Sequence, residues 1–309
     1  MTLLGWVAVG VLLTLCATQW IGFDAWRPVA IVQSLSPFAF ACAAPIAVAA
    51  ALSGHWAITI ASVVVLATLL WMVVPAVFAR APHPTIEPHL RVAFGNLLAD
   101  NLQPNDVMAA MAGTGADMLV LVEFTPAMAT VLEGICGAEY PHRVDHARPH
   151  PGGIAVWSRH PFSAGRTVGG ASDRPSIDIR LTLADTPLRL VAVHTEPPTM
   201  RARNWRRELR EIADLTDERT PTMLLGDFNA SRWHPSFRRL LTHGWRTAHE
   251  WTGQWWRGSW PTAGKPAPVF IRLDHALLRD GVAPTGVEDL ALPGSDHRGF
   301  VLGVTVIHP

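Results

Sequence analysis

The pattern of apolar and polar residues divides the chain into two regions. Three long apolar runs occupy residues 3–21, about 29–52 and 56–78. Each run is long enough to cross a bilayer as a helix. The first run lacks the basic segment that precedes the apolar core of a secretory signal, so we interpret it as a retained helix. The pattern therefore predicts a multi-pass membrane protein with three transmembrane helices within residues 1–80.

Tryptophans and prolines in this region support that interpretation. Tryptophans anchor membrane helices at the bilayer surface, and five lie near the ends of the runs: Trp6, Trp20, Trp26, Trp56 and Trp71. Pro37 and Pro45 fall within the second run, where neighbouring helices can bind the freed backbone groups. Four prolines between residues 75 and 88 predict a stiff spacer that lifts the next domain off the bilayer. We therefore divide the chain into a membrane region (1–80), a proline-rich linker (81–88) and a domain (89–309).

Within the domain, short apolar runs alternate with glycine and polar residues, which predicts alternating strands and helices. Strands are predicted at residues 90–94, 118–122, 152–158, 177–183, 188–193, 223–225, 271–278 and 300–306. Capping and helical spacing predict helices at residues 105–112, from Thr125-Pro126 onward, at 200–215 and at 235–241. The segment 247–269 shows no periodicity yet contains four tryptophans, Trp251, Trp255, Trp256 and Trp260. A loop this long and this aromatic is typical of a functional segment.

Polar side chains follow several of these strands. The most distinctive stretch is Gly226-Asp227-Phe228-Asn229, which comes directly after a short apolar run. Because alternate side chains of an extended chain point the same way, Asp227 and Asn229 should converge on one spot. Similar positions are occupied by Asn96, Glu123, His194, Asp274, Asp296 and His297. A polar turn or a solvated edge residue is the alternative at each single position.

Charge and cysteine content exclude some classes of protein. The first eighty residues carry only Asp24, Arg27 and Arg80, and the whole chain has 25 basic and 25 acidic residues. The domain is thus near neutral, with the single lysine Lys265, which argues against a nucleic-acid-binding protein held by a basic face. Three cysteines, two of them in apolar runs, predict neither a disulfide framework nor a cysteine zinc site.

The residue types at the strand ends indicate phosphate chemistry. The oxygen ligands Glu123, Asp296 and Asn96 suit Mg²⁺, with Mn²⁺ as an alternative, rather than zinc. His297 beside a carboxylate is typical of a positioned acid or base. A metal ion, His194 and Asn229 would then stabilise the charge that develops on phosphate oxygens.

Six short motifs together resemble the endonuclease/exonuclease/phosphatase superfamily, and they occur in that family's order. They are Gly95-Asn96, Leu121-Val122-Glu123, Val193-His194, Gly226-Asp227-Phe228-Asn229, Arg272-Leu273-Asp274-His275 and Ser295-Asp296-His297. The resemblance covers roughly residues 88–307. It implies an α/β fold, a four-layer sandwich of two packed mixed β-sheets flanked by helices, with a Mg²⁺-dependent phosphoesterase site at one rim.

The resemblance also implies a role for each residue of the site. Glu123 would be the main metal ligand, supported by Asn96 and helped by Asp296. Asp227 would orient the attacking water, while Asn229 and His194 hold the phosphate. Asp274 would orient His297. A tyrosine used by many nuclease members has no clear counterpart, because the only tyrosine of the chain is Tyr140.

Three apolar runs before such a domain resemble membrane-anchored members linked to teicoplanin-type glycopeptide resistance. The stretch His194-Thr195-Glu196-Pro197-Pro198 and the pair Trp260-Pro261 fit that branch. This resemblance implies a phosphatase of lipid-linked pyrophosphates outside the cytoplasmic membrane. Because tryptophan prefers the headgroup layer, we expect Trp251, Trp255, Trp256 and Trp260 to help engage a lipid substrate; the alternative is that Trp260 packs in the core while the others cover a loop. The positions of Arg27, Arg80 and Arg91 favour the opposite, cytoplasmic side by the positive-inside rule.

Two other functions remain open from the sequence. A membrane-tethered nuclease would use the same site on DNA or RNA. A non-catalytic membrane protein could retain only the fold. Because every expected ligand, acid and base position is filled, the sequence favours an enzyme. It does not indicate an oligomeric state.

Overall fold

The structure is a computed structural model of the chain. It describes residues 2–80, 90–163, 167–169, 174–183, 185–215, 220–262, 269–279 and 281–307. The predicted proline-rich linker, residues 81–88, lies outside the described residues.

The membrane region consists of five helices. They are α1 (Thr2–Trp20), α2 (Arg27–Gln33), α3 (Ser36–Ala41), α4 (Ala43–Leu52) and α5 (Trp56–Val77). Helices α1 and α5 are each long and apolar enough to cross a membrane. Pro75 lies inside α5 and so belongs to that helix rather than to an extended spacer.

The second predicted helix is broken. Residues Arg27–Gln33 and Ser36–Leu52 are long and apolar enough to cross a membrane only when they are taken together, and they meet at an angle of 64°. The break has a physical cause at Pro37, in the first turn of α3, because proline has no N–H to continue the hydrogen-bond ladder from Gln33. The membrane region therefore contains two straight candidate spans, and three if the bent pair counts as one.

Within the residues that the structure describes, thirteen strands, five α-helices and one 3₁₀ helix (Gly137–Glu139) form the domain. The strands are β1 (Leu90–Asn96), β2 (Met118–Val122), β3 (His142–His146), β4 (Ile154–Ser158), β5 (Phe162–Ser163), β6 (Thr167–Gly169), β7 (Pro175–Leu183), β8 (Thr186–His194), β9 (Thr222–Asp227), β10 (Arg246–Thr247), β11 (Asp274–Arg279), β12 (Val282–Ala291) and β13 (Arg298–Val306). The helices are α6 (Pro104–Ala112), α7 (Pro126–Cys136), α8 (Pro198–Ala213), α9 (Pro235–Thr242) and α10 (Ala248–Trp251).

The strands pair into two mixed sheets. The first has the order β12-β13-β1-β2-β4-β3, in which β1 and β2 are parallel and the other neighbours antiparallel. The second has the order β10-β11-β9-β8-β7-β5, with β6 also pairing to β7, and its β8 and β9 are parallel. The predicted α/β architecture of two mixed sheets flanked by helices is thus confirmed.

Three apolar clusters hold the layers together. The largest lies between the sheets, where alternate side chains of β7 (Ile177, Ile179, Leu181) meet those of the first sheet. A second cluster packs α6 and α7 on the outer face of the first sheet. A third packs α8 and α9 on the outer face of the second sheet, and it includes Ala30 of α2. The membrane region therefore contacts the domain on its α8/α9 side.

Buried polar contacts join the two regions at the same place. Asp24, in the loop between α1 and α2, is fully buried and accepts hydrogen bonds from the backbone N–H and the hydroxyl of Ser236, each 2.7 Å long. Its carboxylate also pairs with Arg206 of α8 at 3.2 Å. Gln19 of α1 donates to the carbonyl of Trp233 and accepts from Arg238. The domain thus packs directly on the helices, contrary to the prediction of a spacer that lifts it off the bilayer.

Candidate active site

The polar residues predicted from strand ends lie along one rim shared by both sheets. Asn96, Asp227 and His194 each end a strand, and Glu123 directly follows β2. Asp274 begins β11, while His297 directly precedes β13. Because β11 and β13 run antiparallel to their neighbours, their first residues lie at the same edge as the last residues of β9 and β1. The fold therefore brings six separate segments of the sequence to one rim.

Asn96 connects the two sheets at this rim. Its side-chain N–H groups donate to Glu123 at 3.2 Å and to Asp227 at 3.0 Å. Its carbonyl oxygen accepts from the backbone N–H of Leu98, which sets the orientation of the amide. In this orientation Asn96 holds two carboxylates together.

Glu123 and Asn229 adopt left-handed backbone conformations, with φ of +56° and +46°. This conformation is unfavourable for residues other than glycine and is concentrated at functional sites. Glu123 also accepts a 3.0 Å hydrogen bond from the backbone N–H of Ala99. The second amide, that of Asn229, donates to the carbonyl of Thr195 at 2.9 Å and to Asp227 at 3.3 Å. The left-handed conformations thus direct the carboxylate of Glu123 and the amide of Asn229 toward the rim.

Asp227 and Asp274 are paired residues of adjacent strands, and both are buried. Burial and the nearby Asp274 carboxylate raise the pKa of Asp227 to about 7, although His297 offsets part of this increase. One oxygen of Asp274 accepts from Nδ1 of His297 at 2.8 Å. Its other oxygen, Oδ1, is buried without a hydrogen-bond partner among the described residues. Two carboxylates therefore share one small buried space.

His297 is surrounded by negative charge. Burial alone would lower its pKa, but Asp274, Asp227 and Asp296 raise that pKa to about 10. Its Nε2 lies 3.9 Å from an oxygen of Asp227 and 3.9 Å from an oxygen of Asp296. His297 is accordingly an imidazolium at neutral pH, oriented by Asp274.

His194 has the opposite electrostatic environment. Burial, the guanidinium of Arg174 and the charge on His297 lower its pKa well below the usual value. Nη1 of Arg174 lies 3.0 Å from Nδ1 of His194 and also contacts its Nε2. Nε2 of His194 lies 3.8 Å from an oxygen of Glu123 and from one of Asp227. The site therefore contains a neutral histidine next to an arginine, which together suit an anionic substrate.

Arg174 is the site residue that the sequence did not reveal. It stands directly before Pro175, at the start of β7, and belongs to none of the six motifs. Tyr140, the only tyrosine, is buried among the side chains between α7 and the first sheet and donates to the carbonyl of Ala116 at 2.7 Å. It therefore does not serve the rim, in agreement with the missing counterpart noted from the sequence.

The four tryptophans of segment 247–269 occupy three different places. Trp260 donates to Asp296 at 2.9 Å and so lies at the rim. Trp251 packs partly buried against the inter-sheet core. Trp255 and Trp256 instead line a cavity of about 400 Å³ between the domain and the membrane helices, together with Phe38 of α3. The structure thus separates Trp255 and Trp256 from the carboxylates of the rim.

The donor set at the rim fits a hard divalent cation. Glu123, Asp227, Asp274 and Asp296 supply carboxylate oxygens, and a cation would offset the repulsion that raises the pKa of Asp227. The ligand atoms of Asp227, Asp274 and His297 lie within 4.8 Å of one another. His297, however, is protonated and has no free lone pair, so the oxygen donors are the better ligand set. Whether Glu123, Asn96 and Asp296 serve as ligands stays a prediction.

The comparison with protein families agrees with this geometry. The sequence model of the Endonuclease/Exonuclease/phosphatase family matches residues 92–297, about two thirds of the chain. The chain belongs to this family. Members of the family are phosphoesterases and nucleases, which supports hydrolase activity here. No curated protein matches the chain.

Solved structures share the fold at low sequence identity. D. rerio TDP2 in complex with a single-strand DNA product has 17% identity and a TM-score of 0.59, covering 70% of this chain and 99% of that one. An endonuclease/exonuclease/phosphatase from Beutenbergia cavernae has 18% identity and a TM-score of 0.55, covering 71% and 72%. A family protein from Leptotrichia buccalis has 15% identity and a TM-score of 0.54, covering 70% and 99%. At these identities the similarity shows that the domain shares its fold with these proteins.

Proposed function

We propose that the protein is a membrane-anchored, Mg²⁺-dependent phosphoesterase that hydrolyses a lipid-linked phosphate or pyrophosphate. The proposal is supported above all by the convergence of six chain segments on one rim that combines carboxylates, an imidazolium and a neutral histidine beside an arginine. Two apolar helices of spanning length and the direct packing of the domain on them support the membrane anchoring.

The ionisation of the site residues suggests their division of labour. Glu123, with Asp296, would hold the Mg²⁺ or Mn²⁺ ion, which would supply charge stabilisation to the phosphate oxygens and lower the pKa of a bound water. Asn96 would support them through its N–H bonds to Glu123 and Asp227. Asp227, buried beside Asp274 at the rim, would orient that water and accept its proton as the new P–O bond forms.

The leaving group requires a proton donor on the other side of phosphorus. His297, held by Asp274 and protonated at neutral pH, is suited to give its proton to the leaving oxygen when the old P–O bond breaks. His194 would bind the phosphate through a ring N–H, and Arg174 adds a positive charge beside it. Asn229 would use the amide N–H that donates to Asp227 at 3.3 Å in this structure.

The cavity lined by Trp255 and Trp256 supports a lipid substrate. Its other walls include Phe38, Leu69 and Val73 of the membrane helices, and Phe38 packs edge-to-face on Phe270 of the domain at 5.9 Å. The wall of this cavity that the membrane helices form is apolar, which suits an isoprenoid or acyl chain, while the domain side also carries Arg232, Glu250 and Arg257. We propose that Trp255 and Trp256 contact that chain while the phosphate occupies the rim.

The side of the membrane is part of the proposal. The resemblance to the glycopeptide-resistance branch favours an extracytoplasmic domain, whereas Arg27, Arg80 and Arg91 favour a cytoplasmic one. We propose the extracytoplasmic side, because an excess of only three arginines is weak support for a cytoplasmic domain. A reporter fused to the C-terminus that is active only in the cytoplasm tests this, since activity of the fusion would contradict the proposal.

The substrate class is tested with the full-length protein in proteoliposomes. A long-chain polyprenyl pyrophosphate in the same vesicles should be hydrolysed at least about tenfold faster than its short-chain soluble analogue at equal bulk concentration, because both reactants share one surface. Single-stranded and plasmid DNA serve as the competing substrates. Faster cleavage of DNA than of any lipid phosphate would establish the nuclease instead, and no hydrolysis of any phosphoester would favour the non-catalytic alternative.

A tryptophan pair separates lipid engagement from chemistry. The double substitution Trp255→Ala/Trp256→Ala should slow hydrolysis of the lipid-linked substrate and leave a soluble phosphoester unaffected. Trp56→Ala is the matched control, because Trp56 and Trp256 are each 65% exposed. Trp56 is the first residue of α5, far from Leu69 and Val73, which line the cavity. Equal losses on both substrates would argue against a role of the cavity in binding lipid.

A further inference from the structure

A second cleft, of about 660 Å³, lies between the membrane helices and the domain. Its floor is made by the last part of α5, including Trp71, Met72, Pro75 and Phe78. Its opposite wall is made by α9 and β10 of the domain. It shares Arg232, Thr247 and Glu250 with the cavity lined by Trp255 and Trp256, so the two spaces adjoin.

The domain wall of this cleft is strongly basic. Arg232, Arg238, Arg239 and Arg246 line it, against the single carboxylate of Glu250. Glu250 is paired with Arg232. Within the part of the chain that the structure describes, no carboxylate lies within 4.0 Å of a nitrogen of Arg238, Arg239 or Arg246. Three positive charges therefore face the cleft without an ion-pair partner.

Arg238 is held in place by neutral groups. Its guanidinium donates to the carbonyls of Arg232 and Trp233 and to Oε1 of Gln19. Burial and the charge of Arg232 lower its pKa to about 10, and the carboxylate of Asp24 offsets part of that decrease. Arg246 donates through Nη1 to the carbonyls of Leu241 and Trp245. Arg239 and Arg246 are exposed at the mouth of the cleft.

The level of the cleft along α5 corresponds to the surface of a bilayer. Trp71 is 55% exposed, and the guanidinium of Arg238 lies over its ring, 5.1 Å from the centroid. Trp20, at the end of α1, is also 55% exposed. Tryptophans of membrane helices settle at the headgroup layer, so the arginines around Trp71 lie at the level of the lipid phosphates.

We propose that this cleft binds the phosphate headgroup of an anionic glycerophospholipid of the surrounding bilayer. The phosphate contacts Arg239 and Arg246 and faces Arg238, while the glycerol part of the headgroup packs against Trp71 and Met72. A soluble phosphate would use only the arginines and leave the apolar floor in water, which is why we assign a lipid. The site rests on the membrane anchoring proposed above, but it does not depend on hydrolysis at the rim.

The test measures lipid binding to the purified full-length protein in mild detergent by native mass spectrometry. The probes are phosphatidylglycerol and phosphatidylcholine with identical acyl chains. Phosphatidylglycerol should bind at least about tenfold more tightly, because each arginine near the surface favours an anionic lipid about fivefold. Inorganic phosphate and glycerol 3-phosphate at millimolar concentration should not displace it. Displacement by either, or equal binding of the two lipids, would overturn the proposal.

The variant Arg239→Gln/Arg246→Gln locates the site. These side chains are exposed, so the substitution should leave the fold intact, whereas Arg238 is kept because it joins the domain to α1. Binding of phosphatidylglycerol should fall by about tenfold or more and that of phosphatidylcholine should not change. The matched control Arg91→Gln/Arg180→Gln removes two exposed arginines that do not line the cleft and should bind as the wild type does. An equal effect of both variants would overturn the assignment.

Hydrolysis of a soluble phosphoester is measured in parallel. The Arg239→Gln/Arg246→Gln variant should retain the wild-type rate. Preferential binding of phosphatidylglycerol without any hydrolysis would contradict only the proposed function. Hydrolysis without a preference for the anionic lipid would contradict only the lipid site.

Discussion

The carboxylate of Asp24 accepts two hydrogen bonds from Ser236, one from its backbone N–H and one from its hydroxyl, each 2.7 Å long. Asp24 belongs to the loop between α1 and α2, whereas Ser236 lies in the first turn of α9. Ser236 follows Asn229, the last residue of the predicted motif Gly226-Asp227-Phe228-Asn229, by only seven positions. The membrane region therefore holds the segment that leaves the candidate active site.

The first prediction concerns this contact. Asp24→Ala should lower the free energy of unfolding by about 2–3 kcal/mol, because it leaves the buried N–H and hydroxyl of Ser236 without an acceptor. Arg206 would also lose its partner. Thermal unfolding of the full-length protein in detergent measures the loss. Asp100→Ala is the matched control, since Asp100 is exposed, and equal melting temperatures of the two variants would contradict the structural role of Asp24.

The second prediction concerns the metal ion. EDTA should abolish hydrolysis of a generic phosphoester, and Mg²⁺ or Mn²⁺ should restore it, because carboxylate oxygens dominate the rim. Glu123→Gln should lower activity at least about a hundredfold and weaken Mg²⁺ binding, measured by calorimetry. Glu133→Gln is the control, because Glu133 is an exposed residue of α7 paired with Arg143. Full activity of Glu123→Gln, or of the wild type in EDTA, would exclude the assignment.

The third prediction separates chemistry from folding at Asp227. Its pKa is raised to about 7 by burial and by Asp274, so its ionised form destabilises the fold at neutral pH in the absence of metal. Asp227→Asn should therefore unfold at the wild-type temperature or above it in EDTA, yet lose about 10²–10⁴-fold in kcat. Asp145→Asn, at an exposed position of β3, should change neither quantity. A variant at Asp227 that unfolds early would indicate a structural role.

The fourth prediction concerns the pH dependence of stability. Burial and Arg272 lower the pKa of His249 to about 4, although Asp289 offsets part of the decrease. The Asp289 carboxylate lies 3.8 Å from Nε2 of His249, too far for a hydrogen bond. Because the unfolded histidine titrates near 6.5, unfolding takes up a proton between these values, and stability is present above pH 6.5 and lost as the pH falls. His249 alone should reduce the free energy of unfolding by about 2–3 kcal/mol between pH 7.5 and 4.5.

The variant His249→Gln tests that source of the pH dependence. Its unfolding free energy should decline less steeply between pH 7.5 and 4.5 than that of the wild type, measured by chemical denaturation in detergent. His275 and His194 have lowered pKa values for the same main reason, burial, so part of the slope should remain. Burial would raise the pKa of Asp289, but His249 and Arg272 lower it below the usual value of 3.8. The contribution of Asp289 to stability therefore changes only below about pH 3.8, outside this window. An unchanged slope in the variant would contradict the explanation.

The sequence predicted those strands and helices in which buried and exposed residues recur at regular intervals. Ile177, Ile179 and Leu181 alternate with polar residues and form β7 as expected. The sequence did not predict β12, because Pro284 and Gly286 interrupt its pattern. The structure explains both residues, since β12 lies at a sheet edge and is irregular between Pro284 and Gly286.

The site was predictable to the extent that its residues follow strands. The six motifs carried that information because a strand end fixes the direction of the next side chain. Arg174 and the contacts of Asp24 were not predictable, since each depends on residues far apart in the sequence whose proximity follows from packing of the layers. The break before α3 was signalled by Pro37, but proline also occurs inside intact membrane helices such as α5.

The last prediction concerns Arg174, the cation beside His194. Arg174→Gln should raise KM for a small phosphoester and lower kcat/KM by about 10–100-fold, because a charge-assisted contact to phosphate contributes about 1.5–3 kcal/mol. Arg174→Lys, which keeps the charge but not the planar fork, should recover part of the loss. Arg180→Gln, at an exposed position of the same strand, is the control and should keep wild-type kinetics. If Arg174→Gln lowers the melting temperature and leaves kcat/KM unchanged, Arg174 serves the fold rather than the substrate.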